Sequence, residues 1–314
     1  MANVTIIIPS YNHSNFLLDR LKSIANQTYS DWEAIIIDDK STDCSVKLIT
    51  NFIEGNTNFK VKHFIINEKN SGSGYLSWQK GIELAETQYI WIAETDDVSD
   101  NIFLESQIKL LEKFPEAALV FSNSQYIDEN GLFLYTSEKR TEKLKNLNTD
   151  YNELKASILI TDMPFETLIT NGSSVVFRKS SDKIPESIFN NKQCSDIFLW
   201  TYLVKDKTFI FNNLTLNYFR RHDNSTTTLS TKYKLKSIYI EKFHYLNYFS
   251  QTDKVKLLLK HYIQDYIFHD KSEWFINSIF KEIESLKKFK FYFYIILIKE
   301  VLNKIYNKCH IKAR

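Results

Sequence analysis

Residues 4–12 read VTIIIPSYN and residues 35–43 read IIIDDKSTD. In both stretches a β-branched run stops abruptly at a polar cluster. A run apolar at every position can present neither side to water, so it predicts a strand covered on both faces, as in a parallel sheet. Working outward, Phe16, Leu17, Leu21, Ile24 and Ala25 recur at helical spacing between the two runs, and a second helix is expected over about 43–53. Residues 61–66 read as a third strand. The loop Asn70-Ser71-Gly72-Ser73-Gly74 leads into a helix to Ala85, and residues 89–93 form a fourth strand that ends at Glu94-Thr95-Asp96-Asp97. A helix over 103–111 and a strand over 118–121 complete the set. Such alternation predicts an α/β fold, a mostly parallel sheet flanked by helices.

Beyond residue 130 the regularity fades. Asp128-Glu129-Asn130-Gly131 is a hairpin-type turn, residues 138–152 read as loop, and short strands are expected over 173–177 and 214–219. From about Lys232 the pattern is helical to the end, without Pro or Gly.

Composition narrows the class. Of 314 residues, 43% are hydrophobic and 25% charged, as in a soluble globular protein. Aromatics reach 15% against 6 Gly and 4 Pro, which disfavours a turn-rich β-sandwich and suits long helices. The net charge of +2 hides an asymmetry: residues 1–100 carry 8 Lys/Arg against 14 Asp/Glu, and residues 281–314 carry 9 against 3. An acidic front suits a cation site and a basic tail an anionic surface, although solvated faces that merely differ would give the same count. Neither part marks a nucleic-acid binder. Cys44, Cys194 and Cys309 are odd in number and far apart, so no disulfide framework or structural zinc is expected. The start runs directly into strand pattern, and the uncharged run 291–298 is too short to span a bilayer. The expected location is cytoplasmic, or peripheral on the inner face of the cytoplasmic membrane.

Ligands of open α/β sheets bind beyond the carboxyl ends of the strands. Polar groups cluster at such ends here: Pro9-Ser10-Tyr11-Asn12, Asp38-Asp39, and Glu94-Thr95-Asp96-Asp97. Carboxylate-rich sites select hard cations such as Mg²⁺ or Mn²⁺, commonly with substrate phosphates completing the shell. Asp97 could equally cap the helix that follows. There is no GxGxxG after the first strand and no GxxxxGK[ST] anywhere, which argues against dinucleotide-dependent dehydrogenases and P-loop enzymes.

Taken in order, IIIPSYN (6–12), IIIDDKSTD (35–43), NSGSGYLSWQKGIELA (70–85), YIWIAETDD (89–97), TNGSSVVFRKS (170–180), CSDIFLW (194–200) and LNYFRRHDNSTT (216–227) resemble the family 2 glycosyltransferases of GT-A fold, of the kind that builds bacterial surface polysaccharide. The resemblance covers about residues 3–230. It implies a GT-A catalytic domain over 1–230, with a nucleotide-sugar-binding half (1–125) and an acceptor-binding half (126–230), followed by a helical extension over 231–314. It implies an inverting hexosyl transfer from a nucleotide-diphosphate sugar, with UDP as nucleotide, to a hydroxyl of a glycan or lipid-linked oligosaccharide. Pro9, Tyr11, Asn12, Asp39, Glu94 and Thr95 would bind the donor nucleotide. Asp96, Asp97 and His222 would hold Mn²⁺ or Mg²⁺, and Arg221 would meet the diphosphate. Glu94 replaces the Asp that opens the family's Asp-x-Asp string, so its longer side chain could reach the ribose or a metal-bound water instead. Asp196 stands at the position of the catalytic base; read from spacing alone, it could also cap the apolar helix after it.

Leu286, Phe289, Phe293, Ile296, Leu297 and Val301 repeat at helical spacing beside lysines 287, 288, 290, 299 and 304. That pattern reads as an interfacial helix on an anionic membrane, or as one docked on the catalytic domain or on a second subunit of a homo-oligomer. Two other classes compete with a transferase. A sugar-phosphate nucleotidyltransferase would place a Gly-rich basic loop after the first strand, where Pro9-Ser10-Tyr11-Asn12 stands. A non-catalytic sugar-nucleotide binder would not need both Asp96 and Asp196.

Overall fold

The computed structural model describes residues 2–222, 235–269, 280–281 and 283–311. Strand β1 (Val4–Ser10) lies at the heart of the sheet, with Ile6, Ile7 and Ile8 fully buried. It pairs in parallel with β2 (Trp32–Asp38) on one side and β4 (Tyr89–Ile92) on the other, and β2 pairs with β3 (Val61–Ile66). The register sets Ser10 opposite Asp38, so the polar ends of these strands lie level along one edge. Helices α1 (Ser14–Ala25), α2 (Ser45–Gly55) and α3 (Gly74–Leu84) link them. Leu17, Leu21 and Ile24 of α1 enter the same apolar cluster as Ile6, Ile8, Ile36 and Trp91. Each such aliphatic side chain contributes about 1.5–3 kcal/mol by leaving water. Helix α3 comes closest at Gly81, where a Cβ would lie 2.5 Å from Ile7 Cγ2.

The second half departs from the expected simple alternation. The expected strand over 118–121 is longer, β6 (Ala117–Ile127), and β9 (Val175–Arg178) inserts antiparallel between β4 and β6. The order across the sheet is β3-β2-β1-β4-β9-β6-β10-β5, where β10 is Thr208–Arg220 and β5 is Val98–Ser99. Helix α4 (Phe103–Lys113) precedes β6, and the hairpin turn forms as expected, with Gly131 at φ +84° leading to β7 (Phe133–Thr136). The stretch read as loop holds a short helix α5 (Glu138–Thr141) and the start of β8 (Tyr151–Lys155), which pairs with β10 before α6 (Ala156–Glu166). Strand β10 runs to twice its expected length. Its polar residues disguise it, because Asn212 and Asn217 are paid for by buried partners: Asn212 Nδ2 donates to Gln107 Oε1 (3.1 Å), and Asn217 Nδ2 to Ser124 Oγ (3.0 Å) and Asn171 Oδ1 (3.1 Å).

The chain divides into two compact units, residues 1–228 and 229–314. Taken by itself, the second contains, among its described residues, α8 (Leu235–Tyr248), α9 (Val255–His269) and α10 (Lys290–Ile311), with 3₁₀ turns at Thr252–Lys254 and Glu284–Phe289. Helix α10 packs on α9, with Phe293 beside Tyr262 at 6.3 Å between ring centroids. The apolar stripe read from sequence divides here: Leu286, Phe293 and Ile296 are buried, so that part of the stripe is protein core. A different set, Phe291, Tyr294, Ile295, Ile298, Leu302 and Tyr306, faces outward, with Phe291 77% and Ile298 61% exposed. Among the described residues no helix is long and apolar enough to cross a membrane.

Candidate active site

The site is assembled on the strand-end loops. Asp38 accepts from Ser10 Oγ (3.0 Å), Ser41 N (2.8 Å) and Ser41 Oγ (2.6 Å), which folds the loop after β2 back on β1. Asn12, at φ +52°, completes the tie: its Oδ1 accepts from Thr42 N at 2.8 Å and its N–H donates to Ser41 Oγ at 3.0 Å. Asp39 is 5% exposed, and its carboxylate takes bonds from Asn67 Nδ2 (2.7 Å), Ser71 Oγ (2.7 Å) and Ser71 N (3.0 Å), holding the loop that leads into α3. Tyr11, between these loops in sequence, is 43% exposed. Pro9 C=O accepts from Thr95 Oγ at 3.1 Å and so joins β1 to the acidic loop.

Two buried arginines clamp that acidic loop. Arg20 Nε donates to Glu94 C=O (2.7 Å), and its Nη2 lies 3.8 Å from Asp97 Oδ2. Arg220 Nε donates to Asp96 C=O (2.9 Å), and its guanidinium also reaches the Glu129 carbonyl (3.0 Å) and sits over Phe16. Asp97 is fully buried: Oδ1 accepts from Arg220 N (3.1 Å), and Oδ2 from Ser173 Oγ (2.6 Å) and Asn171 Nδ2 (2.9 Å). Both of its oxygens therefore serve the scaffold, although it stands within reach of Glu94 and Asp96 in one acidic group.

Asp96 is different. Its Oδ2 lies 3.2 Å from His222 Nε2, while Oδ1 is buried and has no hydrogen-bond partner among the described residues. An orphaned buried carboxylate oxygen is costly unless something else meets it, and a cation fits the donor set here. His13, Asp96 and His222 each offer one ligand atom within 4.8 Å of the others, as do Glu94, Asp96 and Asp97. Burial alone would raise the Asp96 pKa, but the His222 hydrogen bond and the charges of His13 and His222 outweigh it and hold the group below 3.8. Glu94 is driven well above 4.5 by burial and then by Asp96, Asp97 and Asp196; Asp97 is pushed up to about 6 by burial and by Asp96. Burial lowers the Arg20 pKa to about 10, with Asp97 opposing the shift, so the guanidinium stays charged at neutral pH.

Asp196 lies in the first turn of α7 (Ser195–Val204), whose N-cap position is Cys194. It stands inside the first turn and not at the N-cap position, and its charge acts on Glu94 of the acidic loop. Arg221 donates its backbone N–H to Ile127 C=O (2.8 Å) and holds its guanidinium over Phe219. Of LNYFRRHDNSTT, residues 223–227 lie outside the described residues.

The structure adds His13, Arg20, Arg220, Asn171 and Ser173, none of which the sequence reading assigned a role. Arg20 left a trace: it occupies the buried helical stripe of Leu17, Leu21 and Ile24, where a charge demands a partner. Arg220 and Arg221 are adjacent, and no pattern tells which one faces inward.

Residues 5–181 match the family described as Glycosyl transferase family 2. An uncharacterised glycosyltransferase of Rickettsia bellii is 28% identical over 255 residues, 77% of this chain. The putative teichuronic acid biosynthesis glycosyltransferase TuaG of Bacillus subtilis is 28% identical over 149 residues, 46% of this chain. The chain spans 34% and 57% of the lengths of these two relatives. Among solved structures, residues 1–349 of S. aureus TarS in complex with UDP superpose with a TM-score of 0.55 at 15% identity, over 85% of this chain and 81% of that one. TarS has also been solved with UDP-GlcNAc. At that identity the likeness speaks for the fold.

Proposed function

Because the chain belongs to glycosyl transferase family 2 and has a GT-A-type sheet, we propose that it is a metal-dependent, inverting transferase that moves one sugar from a UDP-sugar to a hydroxyl of a glycan or lipid-linked glycan. The observation that carries this reading is Asp96, buried at the carboxyl edge of the sheet with one oxygen on His222 and the other unmet. Asp96 and His222 would hold Mn²⁺ or Mg²⁺, with Asp97 fixing the loop behind them. A cation bound there would neutralise charge on the departing diphosphate.

The remaining chemistry belongs to the chain. The exposed Tyr11 meets the base, and Pro9, Asn12, Asp39 and Thr95 shape the loops around the nucleotide. Glu94 hydrogen-bonds the ribose or a metal-bound water, and Arg221 meets the diphosphate. Asp196 takes the proton of the acceptor hydroxyl as that oxygen bonds to the anomeric carbon. The bond from that carbon to the diphosphate breaks with its electron pair, so UDP departs from the opposite face and the configuration inverts. Residues 1–125 form the donor half of this domain and 126–230 the acceptor half.

The relative named for teichuronic acid biosynthesis supports a role in surface polysaccharide assembly. The outward apolar face of α10 supports a seat on the inner face of the cytoplasmic membrane. On a helical projection Lys290 and Lys299 flank that face on opposite sides, where they would meet anionic headgroups. The test is a panel of nucleotide sugars with Mn²⁺, read by thermal shift and by slow release of the nucleoside diphosphate. A UDP-sugar should raise the midpoint, since only a ligand of the folded state does so. A panel that neither shifts the midpoint nor yields UDP overturns the reading.

A further inference from the structure

We infer that His13 is a second imidazole ligand of the cation site, so that the donor set is His13, Asp96 and His222 and favours a transition-metal ion over Mg²⁺. The inference rests on the transferase reading for the presence of a cation and goes beyond it in the ligands and the metal class.

Two contacts of the Thr95 hydroxyl bear on the His13 tautomer when both are made as hydrogen bonds. Thr95 Oγ lies 3.1 Å from Pro9 C=O and 2.7 Å from His13 Nδ1. A carbonyl oxygen only accepts, so the single hydroxyl hydrogen of Thr95 goes to Pro9. Thr95 Oγ must then accept from His13, which places a proton on Nδ1. In the neutral ring the lone pair is left on Nε2. One ring nitrogen bound to a second group and the other bare is the arrangement in which metal-ligating histidines are held.

The packing points the same way. The His13 and His222 rings stand nearly perpendicular, 89° apart with centroids at 5.8 Å, and Phe16 contacts both, at 6.4 and 4.6 Å. Both rings are thereby restrained beside Asp96, whose buried Oδ1 has no hydrogen-bond partner among the described residues. The ligand atoms of the three residues lie within 4.8 Å of one another. Across the site, His222 Nε2 and Asp96 Oδ2 share a hydrogen at 3.2 Å, which a divalent cation would displace. Mg²⁺ prefers carboxylates, phosphates and retained waters, whereas imidazoles suit later divalent ions. Two imidazoles on one carboxylate therefore tilt the site away from Mg²⁺ and towards later first-row ions such as Co²⁺, with Mn²⁺ as the spectroscopic probe.

Pulsed EPR on the full chain with Mn²⁺ and UDP counts the imidazole nitrogens bound to the metal. Two are expected in the wild type, and one each in His13→Ala and His222→Ala. Calorimetry should show His13→Ala weakening Mn²⁺ by about tenfold or more, with Thr95→Val producing a smaller loss in the same direction. One nitrogen in the wild type overturns the His13 assignment and leaves the transferase reading standing. Failure of the wild type to bind Mn²⁺ in the presence of UDP removes the cation itself. Because the wild-type count needs no variant, misfolding of His13→Ala would not decide the matter.

Discussion

Asp97 accepts a hydrogen bond from the backbone N–H of Arg220 at 3.1 Å, across 123 residues of sequence. The acidic loop after β4 and the end of β10 are thus joined by a fully buried carboxylate, and Arg20 lies on its other side. Removing it leaves Arg20 buried beside fewer counter-charges. Asp97→Ala should lose about 3 kcal/mol of stability, read from the urea midpoint at constant m. An unchanged midpoint would show that this carboxylate is no keystone.

Asp96 should behave oppositely. Its Oδ1 meets no donor among the described residues, so Asp96→Ala should keep the fold and lose cation-dependent UDP binding. Glu94→Asp should retain much of it. Calorimetry with equal UDP affinity in EDTA and in Mn²⁺ would remove the metal from the reading.

The cation-free protein should lose stability as pH rises from about 4 to 6. Folded Asp97 holds its proton to about pH 6, raised by burial and by Asp96, while the unfolded carboxyl releases it near 3.8. Between those values the folded chain binds more protons, so raising the pH favours unfolding. Glu94, raised by burial, adds to the slope, whereas Asp96, which burial would raise and His222 lowers below 3.8, acts below this window. Unfolding in EDTA across this range should show the fall, and Asp97→Asn should flatten it. A slope identical in that variant would assign the titration elsewhere.

Asp196→Asn retains size and removes basicity. A positioned base contributes about 10²–10⁴-fold, so kcat should fall by two decades or more while UDP affinity stays near wild type. An α-linked donor should yield a β-linked product. Near-normal turnover, or retained configuration by NMR, would refute the assignment.

The outward face of α10 makes a local prediction. Ile298→Glu with Leu302→Glu should abolish co-sedimentation with anionic vesicles without moving the thermal midpoint. Loss of dimer in place of vesicle binding, seen by light scattering, would identify the face as a contact between copies of the chain.

Burial decides which elements are legible in the sequence. Strands β1, β2 and β4 are legible because each holds an unbroken run of buried apolar residues, and the polar residues that follow mark the edge where the site lies. Strand β9 was expected in nearly the right place, but its antiparallel insertion between β4 and β6 follows from distant pairing that no local pattern records. The tail stripe was read correctly as amphipathic, yet α10 is apolar on two faces, and which one docks is decided by α9. His13 was passed over because a histidine in a polar loop carries no signal until Thr95 and His222 stand beside it.

Gly172 has a bearing on how this protein can vary. A Cβ there would lie 2.7 Å from the Trp78 ring, and the residues on either side, Asn171 and Ser173, are the two side-chain donors that hold Asp97 Oδ2. Alanine at this position would push on both donors together. In a saturation library scored for activity, position 172 should be as intolerant as the acidic loop itself, although glycine has no side chain with which to touch a substrate. A depleted column there would record steric exclusion, and an analyst who ranked positions by depletion alone would mistake a packing constraint for a reactive group.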